Sequence, residues 1–178
     1  MLINSFKIKK SGIINNNNVK QIYYKGIQKM QNDTFEKKSS FNYFVQKIEN
    51  DEYEGFLVFK TSPEASFGYK AYYVINDAGN PPLYKTNDGF NAKLTIDYID
   101  VSEKMPKDTE TYLKQDDNKY STKTESVFEI IKHVEDGIYE AKVQGFKDSI
   151  YVDIDEITDY KPGDKVLASG ALRVDFDW

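Results

Sequence analysis

The stretch Ile150-Tyr-Val-Asp-Ile154, then Lys161-Pro-Gly-Asp164, then Lys165-Val-Leu-Ala-Ser-Gly-Ala-Leu-Arg-Val-Asp-Phe176 decides the fold class. In the first piece Ile150, Val152 and Ile154 alternate with Tyr151 and Asp153, the period of a strand with one face buried. Pro162-Gly163 sets a tight turn. Residues 165–176 then read as a closing strand, in which Gly170 marks a bulge or a bend. Just upstream, residues 127–134 and 138–143 flank Glu135-Asp-Gly137 and read as a hairpin around an Asp-Gly turn. A short helix over residues 126–133 is the competing reading.

Working outward, residues 56–60 and 69–75 are rich in aromatic and β-branched side chains, and Asp77-Ala-Gly-Asn-Pro-Pro82 breaks the chain after them. Residues 90–101 place Leu94, Ile96 and Tyr98 on one face against Lys93, Thr95 and Asp97. Residues 102–123 are polar and contain Pro106 and Asp116-Asp-Asn118, which predicts a long flexible loop. Phe41, Phe44, Val45 and Ile48 fall at helical spacing, with Ser39 or Ser40 as a cap, so a short helix is expected there. A strand turning at Asn50-Asp51 into Tyr53 is the alternative. Near the start, residues 2–9 and 19–25 read as two strands joined by a loop through Asn15-Asn-Asn-Asn18. Seven to nine strands with one or two short helices predict a single β-rich domain over residues 1–178, of barrel or sandwich type.

The composition excludes much chemistry. The 178 residues contain no cysteine and one histidine, His133, so thiolate metal sites, disulfides, cysteine nucleophiles and multi-histidine metal centres are ruled out. Neither a phosphate-binding glycine loop nor a dinucleotide fingerprint occurs. The densest carboxylate group, Asp153, Asp155, Glu156 and Asp159, could suit a hard cation, but its spacing is not that of a calcium loop and it reads as a solvated strand face. No catalytic constellation assembles, no cofactor is implied, and the expectation is that the protein is not an enzyme.

Charge is divided along the chain. Residues 1–50 carry nine lysines against three acids, net +6, and residues 51–178 carry −11. The first residues lack a signal peptide and no run spans a bilayer, which predicts a cytoplasmic protein without a membrane partner. Fourteen tyrosines and eleven phenylalanines often stand beside lysine, as in Tyr23-Tyr24-Lys25, Tyr69-Lys-Ala-Tyr-Tyr73 and Leu83-Tyr-Lys85. Rings that stack bases beside lysines that neutralise phosphates suit a single-stranded nucleic-acid groove, although tyrosine also packs well in any sheet. On adjacency of ring and charge the candidate binding residues are Tyr23, Lys25, Tyr69, Lys70, Tyr72, Tyr73, Lys93 and Tyr98.

The segment from Ile150 to Val174, with Pro-Gly-Asp-Lys-Val in its turn and Gly-Ala-Leu-Arg in its last strand, resembles the strand–turn–strand of OB-fold single-stranded DNA-binding proteins. The resemblance covers about 25 residues. It implies a mainly β, α+β chain: a small antiparallel OB-like barrel with one or two short helices. The implied function is sequence-tolerant single-stranded DNA binding, as a replication or DNA-transfer accessory of a phage or mobile element. The end, Asp175, Phe176, Asp177 and Trp178, looks like the acidic, aromatic tail by which such proteins recruit a replication or transfer partner. It follows a predicted strand without the family's long linker, so Phe176 and Trp178 could equally cover the core. A homo-oligomer is a further expectation. The rival function is a non-enzymatic protein-interaction module, a phage structural or host-inhibiting protein, which accounts better for the acidic balance. A carbohydrate-binding sandwich with aromatic platforms is the third class.

Overall fold

The computed structural model describes residues 41–50, 54–75, 84–99, 101–154 and 159–176. All belong to one compact unit, Phe41–Trp178. They contain eleven strands and no helix: β1 (Tyr43–Asn50), β2 (Glu54–Lys60), β3 (Tyr69–Val74), β4 (Gly89–Phe90), β5 (Ala92–Ile99), β6 (Ser102–Met105), β7 (Tyr112–Gln115), β8 (Lys123–Glu135), β9 (Ile138–Lys142), β10 (Ile150–Ile154) and β11 (Lys165–Phe176). Among the described residues the mainly β expectation holds, and the short helices are absent. Among the described residues no helix is long and apolar enough to cross a membrane.

The last third folds as its punctuation predicts. β8 and β9 form the Asp-Gly hairpin, with Gly137 at φ +74° supplying the left-handed turn residue. Ile150, Val152 and Ile154 of β10 enter the core while Tyr151 and Asp153 face outward. The turn before β11 is closed by the Asp164 carboxylate, which accepts the Lys161 amide at 2.9 Å, with Gly163 at φ +85°. The Lys104 ammonium lies 2.7 Å from the same oxygen, and its hydrogen bond, then the Lys161 amide, hold the carboxyl below its ordinary value. A depressed folded pKa contributes stability that is present above the unfolded value and lost as pH falls through the folded one. Asp164→Asn is therefore expected to melt below the wild type at pH 7, with the difference closing below about pH 4. Thermal melts of both proteins between pH 2 and 7 check this, and a gap that persists at pH 2 would show that the charge contributes nothing.

Five strands make a ring of pairings. β8, β9 and β10 are an antiparallel meander, β10 runs parallel to β5, and β11 pairs antiparallel with both β5 and β8. β11 reaches both because it is twelve residues long: residues 165–171 run beside β8, and residues 172–176 beside β5. Arg173 also meets Tyr72 of β3 in parallel, and β3 leads outward through β2 and β1 to β4. The interior is one hydrophobic cluster, aliphatic around Leu94, Ile96, Ile150, Val152 and Leu172 and aromatic around Tyr43, Phe59, Tyr73, Phe90 and Phe176. Phe90 and Phe176 stand 5.5 Å apart, and Tyr43 meets Phe59 edge-on at 5.2 Å.

Two corrections to the sequence reading have physical causes. The helix expected over residues 41–48 is β1. Its register slips between Val45 and Lys47, a bulge in which Gln46 is the extra residue, so the positions matched to β2's core residues are 45 and 48. One added residue turns a period of two into a spacing that imitates a helix. The loop expected over residues 102–123 contains β6 and β7, which add to β11 and β8 through main-chain bonds. Most of their side chains are polar, and Leu113 is the one residue of theirs packed against the core, so no hydrophobic alternation announces them.

Candidate functional site

Two adjoining clefts, with cavity volumes of about 770 and 650 Å³, share Tyr98, Tyr120, Thr122 and Ala171. The first is floored by Leu167, Ser169 and Ala171 of β11, between the Tyr98–Glu103 side and the Thr122–Glu125 side. The small side chains of Ser169 and Ala171 leave the furrow open. Gly170 between them is required by the backbone, because a Cβ there would overlap the Asp97 carbonyl oxygen. The second cleft continues over Gly55, Phe56 and Tyr72, with Glu49, Asn50 and Glu54 at its far side.

The rings are the distinctive part of this groove. Tyr98 is 70% exposed and Tyr120 is 60% exposed, high values for side chains of this size. Tyr98 stacks on Tyr72 with centroids 6.3 Å apart and planes at 29°, and Phe56 lies 6.0 Å from Tyr120. The Lys47 and Lys119 ammonium groups stand 5.5 and 5.0 Å from the Tyr120 centroid, within cation–π range. Among the described residues, the charged lining of both clefts is Glu49, Glu54, Glu103 and Glu125 against Lys123. Glu49 also pairs with Lys47, and Glu125 accepts the Tyr112 hydroxyl at 2.9 Å.

Beneath Tyr98 lies a polar network. The Tyr72 hydroxyl donates to Asp97 Oδ2 at 2.5 Å, Arg173 Nη1 reaches the same oxygen at 2.6 Å, and Arg173 Nε bonds Asp175 at 3.0 Å. Thr95 donates to Asp175 at 3.2 Å. Asp97 Oδ1 is buried and has no hydrogen-bond partner. Burial raises the Asp97 pKa, against the pull of Tyr72 and Arg173, and burial followed by the neighbouring carboxylate pushes the Tyr72 phenol up. The network reads as a support for the groove wall.

Comparison with family models, curated proteins and solved structures finds no match for this chain. Its site therefore stands on geometry alone.

Of the residues chosen from the sequence, the structure brings Tyr72 and Tyr98 together. Tyr69 and Tyr73 are core residues, Tyr73 fully buried with its hydroxyl on Asn50, so neither has a face to stack a base. Lys70 is occupied by the 116–118 turn, donating to the Asp116 and Asn118 carbonyls at 2.5 and 2.6 Å. Gln115, the last residue of β7, brackets the Lys70 main chain, accepting its N–H at 2.7 Å and donating to its C=O at 2.6 Å. Lys93 is exposed near the start of β5, opposite Asp175 and outside the groove lining. Tyr23 and Lys25 lie outside the described residues, as do Asp177 and Trp178. At the end of β11, Phe176 is buried against Tyr73, Tyr84 and Phe90, the alternative reading of that segment, and Asp175 is tied to Arg173. Packing completes this end of β11 and leaves no free tail in residues 175–176.

Phe56 and Tyr120 are site residues that adjacency of ring and lysine missed. Period-two alternation could have found Phe56, since Leu57 and Phe59 are the inward members of β2. Asp153 faces outward on β10, and Asp155 and Glu156 lie outside the described residues. His133 is exposed, with its ring 5.0 Å from Tyr139.

Proposed function

We propose that this chain is a non-catalytic binding module whose aromatic groove holds a cationic, extended segment of a partner protein. The observation that carries this reading is the exposed ring of Tyr98 in a groove whose described lining holds four glutamates against Lys123, with Lys47 and Lys119 at the Tyr120 ring leaving the balance still acidic. Ring faces attract ammonium and guanidinium groups, and carboxylates add long-range attraction that speeds encounter. Among the described residues, the unpaired carboxylates of that lining disfavour a polyanion. A fluorescent decapeptide alternating lysine or arginine with small residues is expected to bind, more weakly as salt rises, while its glutamate counterpart does not. Tyr120→Ala should weaken that binding about tenfold, the usual cost of an aromatic anchor. Anisotropy titrations measure both, and a wild-type protein that ignores the cationic peptide at low salt overturns the reading.

Single-stranded DNA binding is the second reading, favoured by one observation. An OB barrel is a five-stranded Greek-key barrel. The meander β8–β9–β10, the parallel contact of β10 with β5, and β11 between β5 and β8 match such a barrel's order of neighbours if its last strand is moved to the front of the chain. This supports an OB-like barrel and, through it, a replication or DNA-transfer accessory role. Labelled oligo-dT with a duplex control at two salt concentrations tests it. Tight binding to the single strand alone, falling steeply with salt, would replace the peptide reading.

A further inference from the structure

The alternation of β5 fails at one residue. Val152 and Ile154 of β10 lie opposite Ile96 and Ile99, so two residues of β5, Asp97 and Tyr98, face the single residue Asp153. This is a bulge, and Tyr98 occupies it at φ +56°. Left-handed backbone suits glycine or asparagine, whereas a bulky side chain there is strained because its Cβ crowds the adjacent carbonyl. Burial of the ring does not explain the choice, since Tyr98 is among the most exposed large side chains of the fold.

The neighbours explain how the strain is held. Asp97, on one side, is buried and fixed by Tyr72 and Arg173, and Ile99, on the other, is fully buried in the core. Regular alternation would have put position 98 on the inward face of Ile96. The bulge gives that inward place to Ile99 and turns the Tyr98 ring outward, over the furrow where the two clefts join. Backbone strain kept at an exposed ring in a groove is the pattern of a side chain fixed in advance for a ligand.

We infer that Tyr98 is the anchoring side chain of the groove, kept in a strained conformation by Asp97 and Ile99 so that its ring is positioned before the ligand arrives. The inference rests on the groove being the binding site, and a ligand-free measurement separates the two claims. Tyr98→Gly and Tyr98→Ala both remove the ring, but only glycine relieves the backbone. Tyr98→Gly should therefore melt about 2–4 °C above Tyr98→Ala, the reverse of the usual order in a strand. Both should bind the cationic decapeptide at least tenfold more weakly than the wild type, and Tyr98→Phe should bind within about twofold. An alanine variant that melts at or above the glycine variant overturns the strain, and one that binds like the wild type overturns the anchor. Binding of oligo-dT in place of the peptide, with the same dependence on Tyr98, keeps the anchor and overturns the cationic partner. A wild-type protein that binds neither probe overturns the groove and the anchor together.

Discussion

Gly170→Ala is expected to destabilise the protein by about 3 kcal/mol, the upper end of the usual cost of overpacking. The added methyl would overlap the Asp97 carbonyl oxygen and come within 3.0 Å of Ile96 Cγ2 and Ile99 Cγ1. A flexible side chain could yield, but a main-chain oxygen within a bulge cannot move without displacing Asp97 and Tyr98. The damage should therefore reach the groove, with loss of ligand binding under conditions where the variant is still mostly folded. Ser169→Ala is the control, since Ser169 is exposed on the groove floor and its change should stay within about 0.5 kcal/mol. Urea unfolding of the three proteins measures the difference, and a Gly170→Ala protein as stable as the control would show that the approach of β11 to the bulge is looser than described.

The second large effect is expected at Arg173. Its guanidinium is partly exposed, but it serves Asp97, of which only 4% is exposed and whose Oδ1 already lacks a partner. Removing one member of such a pair leaves an uncompensated buried charge. Allowing for solvent at the arginine, Arg173→Met should cost about 2–3 kcal/mol. Adding Asp97→Asn should recover part of that loss, a coupling that a double-mutant cycle isolates. The pH dependence has a definite sign. Burial raises the folded Asp97 pKa, so the folded state holds its proton more tightly and stability falls as pH rises from the ordinary carboxylate value through the raised one. Replacing Arg173 removes an attraction that lowers this pKa, so the fall should extend to higher pH in Arg173→Met and vanish when Asp97→Asn is added. Urea midpoints between pH 4 and 8 follow it, and parallel curves for all the variants would contradict the assignment to Asp97.

What could be read in advance follows from the range of the interactions. The 135–138 hairpin, β10 and the turn before β11 depend on neighbours in sequence: an Asp-Gly pair, a Pro-Gly pair and strict alternation. Alternation within Tyr69-Lys-Ala-Tyr-Tyr-Val74 also sorts its rings, placing 69, 71 and 73 inward and 72 outward, a signal that ring-and-lysine adjacency passed over. The bulge at Tyr98 has no such local mark. It arises because Ile99 must face the core opposite Ile154, a partner 55 positions away, and the unbroken pattern Leu94, Ile96, Tyr98 conceals it. Lys70 was equally opaque, because what pairs with its ammonium is a turn of polar residues beginning 46 positions later. Tyr120 gave no sign at all, since its place over the groove follows from where that turn docks.

The position of β11 between β5 and β8 bears on how the protein can be made. Until residues 165–176 dock, β5 and β8 each lack the neighbour that satisfies one edge, however complete the meander from β8 to β10 is. Two long, unpaired hydrophobic edges are a template for pairing with other chains. Docking of β11 is therefore the step that ends this exposure, and changes that slow it should lower the yield of folded protein through aggregation.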